Sequence, residues 1–222
     1  NTSQGRHAVG EGETGCWGSR GKGAASRGKL TGGDYVADGI LAANDVTRKI
    51  CGVKKINALG SCLGGTLLAT ALAVLRAKRR NPVASLSLLA TMLDFSDTGE
   101  IGLFVDEKSV VAKEQALAGG GVMPGKELAF VFSALRANDL VWSYVINNYL
   151  KGKTPEAFDL LYWNSDSTNL PGPMYCWYVR NMYLENKLRD PGALAMCGVP
   201  VDLSAVAMPV YILATREDHI VP

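Results

Sequence analysis

An α/β protein with a parallel sheet is what the sequence predicts, and three observations predict it. Two short apolar runs, Ile56 to Leu59 and Ala84 to Ala90, flank a tight glycine turn and an Ala- and Leu-rich helical stretch. That order (strand, turn, helix, strand) is a βαβ unit. A third apolar run returns late, at Val210 to Ala214 after Pro209. Between them, residues 94–206 are helix-like, broken by proline turns and rich in aromatic residues, with no clear strand before Val210. Such a block inserted between strands is expected to form a helical cap lying over the functional site.

The elements follow in chain order. Residues 1–33 hold 10 of the 25 glycines, with basic residues among Ser, Thr and Ala, and show neither strand nor helix periodicity. They read as an irregular, disordered tail. The alternation Gly21, Lys22, Gly23 and Arg27, Gly28, Lys29 could suit phosphate or nucleic acid, but no Walker spacing occurs, and a solvated tail is the expectation. Tyr35 to Ile50 places Val36, Ile40, Leu41 and Val46 near helical spacing, with Gly52 as the stop. After the Ile56 strand and its turn, Thr66 to Arg80 reads as a helix. Its last residues, Arg76, Lys78, Arg79 and Arg80, suit the negative end of the helix dipole. Pro82 opens the connection to the next strand. The chain thus divides into a tail (1–33), an α/β core (34–93), a cap (94–206) and a returning strand with an acidic turn (207–222).

Composition excludes several classes. With 222 residues, 47% of them hydrophobic and 20% charged, the chain can bury a core. A net charge of +2 gives no reason to expect nucleic acid or an anionic membrane as partner. No run approaches the ~18 apolar residues of a transmembrane helix, and the start shows neither Met nor an apolar leader core. Cys16, Cys51, Cys62, Cys176 and Cys197 form neither a zinc pattern nor a disulfide framework, so reduced thiols in a cytoplasm are expected, and no metal site. The stop at Val221-Pro222, straight after a charged turn, and the formless start suggest a piece of a longer protein.

Chemistry concentrates at Gly60-Ser61-Cys62-Leu63-Gly64, between predicted strand and predicted helix. This is the nucleophile-elbow pattern of α/β hydrolases with Cys in place of Ser. The nucleophile sits in a strained turn, and glycines two residues to either side let strand and helix backbones approach. The Leu63 N–H can face a developing oxyanion, and the helix N-terminus favours thiolate. The plainer alternative is a small buried Cys in a tight turn. An acid should follow, and Asp218, just past the last strand, is the candidate; its alternative is an ordinary charged turn beside Arg216 and Glu217. Only His7 and His219 exist. His7 lies in the tail and His219 adjoins the acid, so the general base is expected to be absent from this chain.

These residues belong to longer matching strings: Asn57-Ala58-Leu59-Gly60-Ser61-Cys62-Leu63-Gly64-Gly65, Leu93-Asp94-Phe95-Ser96-Asp97-Thr98-Gly99, Asn138-Asp139-Leu140-Val141-Trp142, Asn147-Asn148-Tyr149-Leu150-Lys151-Gly152, Thr168-Asn169-Leu170-Pro171-Gly172-Pro173, Tyr175-Cys176-Trp177-Tyr178, Cys197-Gly198-Val199-Pro200-Val201-Asp202-Leu203 and Arg216-Glu217-Asp218-His219-Ile220-Val221-Pro222. Together, from Asp34 to Pro222, they resemble the polyhydroxyalkanoate synthases, which polymerise 3-hydroxyacyl-CoA into storage polyester. The Asp94-to-Gly99 string is most similar to the class acting on short-chain substrates such as 3-hydroxybutyryl-CoA.

The resemblance implies an α/β-hydrolase fold with a helical cap. It implies Cys62 as nucleophile, Asp218 as catalytic aspartate, and a catalytic histidine a few tens of residues later, beyond Pro222. Asn186 aligns with an asparagine near the active site, Arg136 with an arginine where coenzyme A phosphates could enter, and His219 with a different histidine beside the aspartate. No cofactor is implied, since coenzyme A is part of the substrate. The implied partners are the acyl-CoA, the growing polyester and a second subunit, at cytoplasmic storage granules. Residues 1–33 do not resemble the family, and without the histidine this chain alone is expected to be inactive. A hydrolase on the same fold, such as an esterase or depolymerase, is the rival enzyme. The non-enzymatic rival is a partial product whose nucleophile strand lacks its earlier neighbour, exposing an edge that aggregates.

Overall fold

The computed structural model describes residues 7–10, 13–16, 28–117, 119–135, 137–155, 168–216, 218 and 220–221. Within the expected formless tail, β1 (His7–Gly10) and β2 (Glu13–Cys16) pair antiparallel. A short hairpin satisfies its backbone groups without any apolar alternation, which is why periodicity does not reveal it.

The helical layer opens on a capping box. Thr31 Oγ1 accepts the Asp34 N–H at 3.2 Å, and Asp34 Oδ2 accepts the Thr31 N–H at 2.7 Å. From there α1 (Gly32–Asp34) runs through a π-helical stretch, Tyr35–Leu41, into α2 (Ala42–Cys51). Gly52, at φ 66°, ends it as the sequence predicts.

Three parallel strands form the central sheet in the order β3 (Ile56–Ser61), β4 (Val83–Leu89), β9 (Val210–Leu213). Between the first two, α3 (Leu63–Ala77) packs on the sheet. It is buried from Gly65 to Leu75 except at Leu68, as an Ala- and Leu-rich helix apolar on all sides requires. Leu72 and Leu75 meet Val83, Leu86 and Leu88 in one core cluster. A second cluster joins Val36, Ala71 and Val74 to Met92, Phe95 and Met182, and so ties core to cap. The helix stops at Ala77, short of the expected Arg80, because Arg79 adopts a left-handed φ of 57° and the Arg80 N–H turns back to the Leu75 carbonyl at 2.8 Å.

The described residues between β4 and β9 are mostly helical. A 3₁₀ turn, Gly99–Phe104, leads to α4 (Glu107–Leu117) and α5 (Gly125–Leu135). Two π-helical stretches follow, Asn138–Trp142 and Val145–Leu150. Then α6 (Gly172–Tyr178) runs directly into a further π-helical stretch, Val179–Leu184. Two small antiparallel pairs correct the expectation of a strandless cap. They are β5 (Val122–Met123) with β6 (Leu170–Pro171), and β7 (Ala195–Met196) with β8 (Val199–Pro200). Two-residue strands are too short to leave a period of two. The aromatic residues also divide. Phe95, Trp177, Tyr178 and Tyr183 pack on the core, whereas Trp142, Tyr144 and Tyr149 are exposed. Tyr162 and Trp163 lie outside the described residues.

Candidate active site

Cys62 stands between β3 and α3 with φ 50° and ψ −131°. L-residues reach this region only under strain, and a tight strand-to-helix turn forces it. Hydrogen bonds hold the turn from both sides. The Cys62 N–H donates to the Leu89 carbonyl at 3.0 Å, extending the β3–β4 ladder, and the Cys62 carbonyl accepts the N–H groups of Gly65 (2.9 Å) and Thr66 (3.2 Å). A Cβ on Gly60 would lie 2.6 Å from the Gly65 Cα, and one on Gly65 would lie 2.0 Å from Thr91 Oγ1. Nothing stands within 4 Å of a Cβ on Gly64. The close approach therefore needs Gly60 and Gly65; the expected requirement for glycine at 64 is corrected.

The three strands are parallel, so the turn after β3 and the turn after β9 emerge at one end of the sheet. That brings Asp218 close enough to Cys62 for its carboxylate to disfavour the thiolate. Asp218 is itself held in place. Its Oδ1 accepts the N–H groups of Ile220 (2.9 Å) and Val221 (3.0 Å), and its Oδ2 accepts the Thr215 hydroxyl at 3.2 Å. The Leu63 N–H is hydrogen-bonded to the Cys62 sulfur.

The expected thiolate does not follow. Desolvation pushes the Cys62 thiol above its ordinary pKa, the Leu63 N–H pulls it down, and Asp218 adds to the rise.

Cys62 lies on the wall of a cavity of about 1110 Å³ roofed by the cap. Its lining is largely apolar, including Ile101, Val110, Phe130, Leu170 and Met174, with Ile220 and Val221 closing on the Asp218 side. Thr66, Tyr178 and Tyr183 bring hydroxyls to the cavity. Thr66 is buried and donates to the Met92 carbonyl at 2.7 Å, while Tyr178 is hydrogen-bonded to Thr66. Burial and the nearby Cys62 charge push both tyrosines up, Tyr183 to about 12. Nothing in the residue types of the sequence marks these three hydroxyls as facing the nucleophile.

Asn186, at φ 47°, does not line this cavity but clamps the entry to the cap. Its Oδ1 accepts the Phe95 N–H at 2.8 Å and its Nδ2 donates to Asp94 Oδ1 at 2.7 Å. The Phe95 ring then meets Tyr183 edge-on at 5.0 Å. Arg136 and His219 lie outside the described residues, as do the side chains of residues 7–10 with His7.

With this geometry in hand, comparison with known proteins is decisive. An alpha/beta hydrolase fold model matches residues 16–222. The chain belongs to the α/β-hydrolase fold family. Curated relatives are named as polymerases. The chain is 53% identical, over 98% of its length, to the poly(3-hydroxyalkanoate) polymerase subunit PhaC of Cupriavidus necator, of which it covers 38%. It is 43% identical over 85% of its length to the subunit PhaC of Rhizobium meliloti. To the poly(3-hydroxyalkanoate) polymerase of Methylorubrum extorquens it is 44% identical over 85%. It covers 31% of each of these two relatives. The resemblance read from the sequence is borne out, and the first match reaches into residues 1–33, which that reading set apart. The chain spans about a third of the length of these relatives.

Proposed function

We propose that the protein of which this chain is part transfers 3-hydroxyacyl groups from coenzyme A to a growing polyester, with Cys62 as the acyl carrier. The observation that carries the reading is a strained, glycine-framed cysteine on the wall of an apolar cavity, with a fixed carboxylate beside it. Thiolate attack on the thioester carbon releases coenzyme A thiolate and leaves an acyl-Cys62. Sulfur suits this exchange because entering and leaving groups have similar basicity. A pocket of roughly 300–1,000 Å³ houses a drug-sized ligand; at about 1110 Å³ this one has room for a chain of several four-carbon units.

The repulsion between Cys62 and Asp218 gives the base its role. A cation between the two anions turns repulsion into attraction, so an imidazole there takes the thiol proton and is held by Asp218 as imidazolium. The family resemblance assigns that imidazole to a histidine beyond Pro222, so residues 1–222 alone are expected to be inactive. Assembly as a dimer and attachment to polyester granules belong to the same proposal. A thiol nucleophile in place of serine argues against the esterase rival.

Coenzyme A release from 3-hydroxybutyryl-CoA, followed by thiol titration, tests the reading. A first turnover lost in Cys62→Ala supports it. Equal release by Cys62→Ala, or release from simple esters in preference to the CoA thioester, counts against it.

A further inference from the structure

At the elbow the Leu63 N–H is one donor to a developing oxyanion. The wall facing Cys62 offers two further hydroxyls, on Tyr178 and Tyr183, and the local backbone explains why both point there. In an α-helix, residues five apart lie about 140° apart around the axis. In a π-helix the i→i+5 hydrogen bond brings them round to nearly the same face. Tyr178 and Tyr183 are five apart, and the stretch joining them, Val179–Leu184, is π-helical. The two rings accordingly sit edge to face, 5.9 Å apart, and both meet Phe95, at 6.1 and 5.0 Å.

Their hydroxyls are not equivalent. Tyr178 is tied to Thr66, which in turn donates to the Met92 carbonyl. That hydroxyl braces cap against α3. The Tyr183 hydroxyl makes no hydrogen bond among the described residues, yet its side chain lines the cavity and feels the Cys62 charge. Cys62 lines the same cavity, so the hydroxyl and the sulfur share the space that a bound acyl group would fill.

We propose that the Tyr183 hydroxyl is the second donor, beside the Leu63 N–H, to the carbonyl oxygen of the thioester that Cys62 attacks. This rests on the acyl-transfer reading above. As the Cys62 sulfur bonds to the carbonyl carbon, the C=O π electrons move onto oxygen, and Tyr183 and Leu63 donate to it while keeping their protons. Collapse restores the C=O and expels coenzyme A thiolate. A phenol pushed up to about 12 stays protonated through the whole working range, so it is a donor and never a competing anion.

The test compares two electrophiles on Cys62 in the full-length protein of which this chain is part, each in single turnover, with modification read on the Cys62 peptide by mass spectrometry. Iodoacetamide reports thiol reactivity without an oxyanion; 3-hydroxybutyryl-CoA generates one. Tyr183→Phe is expected to slow acylation about tenfold or more while leaving alkylation within twofold. In Tyr178→Phe the ratio of the two rates is expected to hold. Dividing one rate by the other removes any loss of folded protein. An unchanged ratio in Tyr183→Phe, with wild-type Cys62 acylated faster than the other thiols, overturns the Tyr183 role alone. Wild-type Cys62 acylated no faster than the other thiols overturns the acyl-transfer reading and this proposal with it.

Discussion

At Cys62, desolvation and Asp218 raise the thiol while a single N–H lowers it, and the sum sets its reactivity. The pH profile of iodoacetamide alkylation at Cys62 should therefore have its midpoint above the ~8.5 of a free cysteine. Removing the anion with Asp218→Asn should move that midpoint down; a midpoint that stays put would show that the carboxylate is too distant to matter. Asn186 offers a second test. It satisfies both Asp94 and the Phe95 N–H, so Asn186→Ala should cost roughly 1–3 kcal/mol in denaturant unfolding, by stranding a partly buried donor. That Cys62 and Asp218 come to one end of the sheet was legible because an elbow has a fixed spacing and the acidic turn follows a late strand. Tyr183 was not, since its role depends on a π-helical register that leaves no mark in residue types. The raised thiol was missed because a helix end is visible in sequence and desolvation is not.

Among the elements, the βαβ unit was the most readable. Ile56, Leu86 and Leu88 mark strands by composition, and Gly52 marks a stop by its backbone freedom. Its glycines make a sharp comparison. Gly60→Ala forces a Cβ to within 2.6 Å of the Gly65 Cα and should destabilise by about 1–3 kcal/mol or more. Gly64→Ala meets nothing within 4 Å and should change stability by less than about 0.5 kcal/mol. Equal effects in thermal unfolding would contradict the turn geometry. In the cap, Arg180 joins Glu114 (2.6 and 2.8 Å), Glu107 (3.2 Å) and Glu185 (3.3 Å), and so ties α4 to the Val179–Leu184 stretch. Arg180 holds the Glu114 carboxyl below its ordinary value, and Lys187 with Arg180 does the same for Glu185. Their contribution is present above the ordinary glutamate pKa of about 4.3 and is lost as pH falls through the depressed values. Hydrogen exchange across α4 should accelerate there, and in Arg180→Met it should already be fast at neutral pH. The pairs of Arg180 with Glu114 and Glu107 span 66 and 73 residues of sequence, beyond the reach of any local pattern.

For the molecule as a whole, the described sheet has two unpaired edges. β3 leaves Leu59 63% exposed, and on β9 Tyr211 and Ile212 are 58% and 59% exposed. Exposed apolar edge strands template further pairing, so this chain should self-associate with rising concentration in light scattering. Leu59→Lys or Ile212→Lys should reduce that association; no change in either would mean that another surface drives it. The exposure of Trp142, Tyr144 and Tyr149 was not legible, because aromatic residues alone cannot tell a packed face from an open one. The measurement that reaches the central claim most directly is the mass of the full-length protein after a single turnover with 3-hydroxybutyryl-CoA, with the modified peptide mapped. One hydroxybutyryl group on the Cys62 peptide, formed in step with coenzyme A release and absent in Cys62→Ala, is the predicted result. Coenzyme A release with Cys62 unmodified, or with the acyl group on another residue, would contradict it.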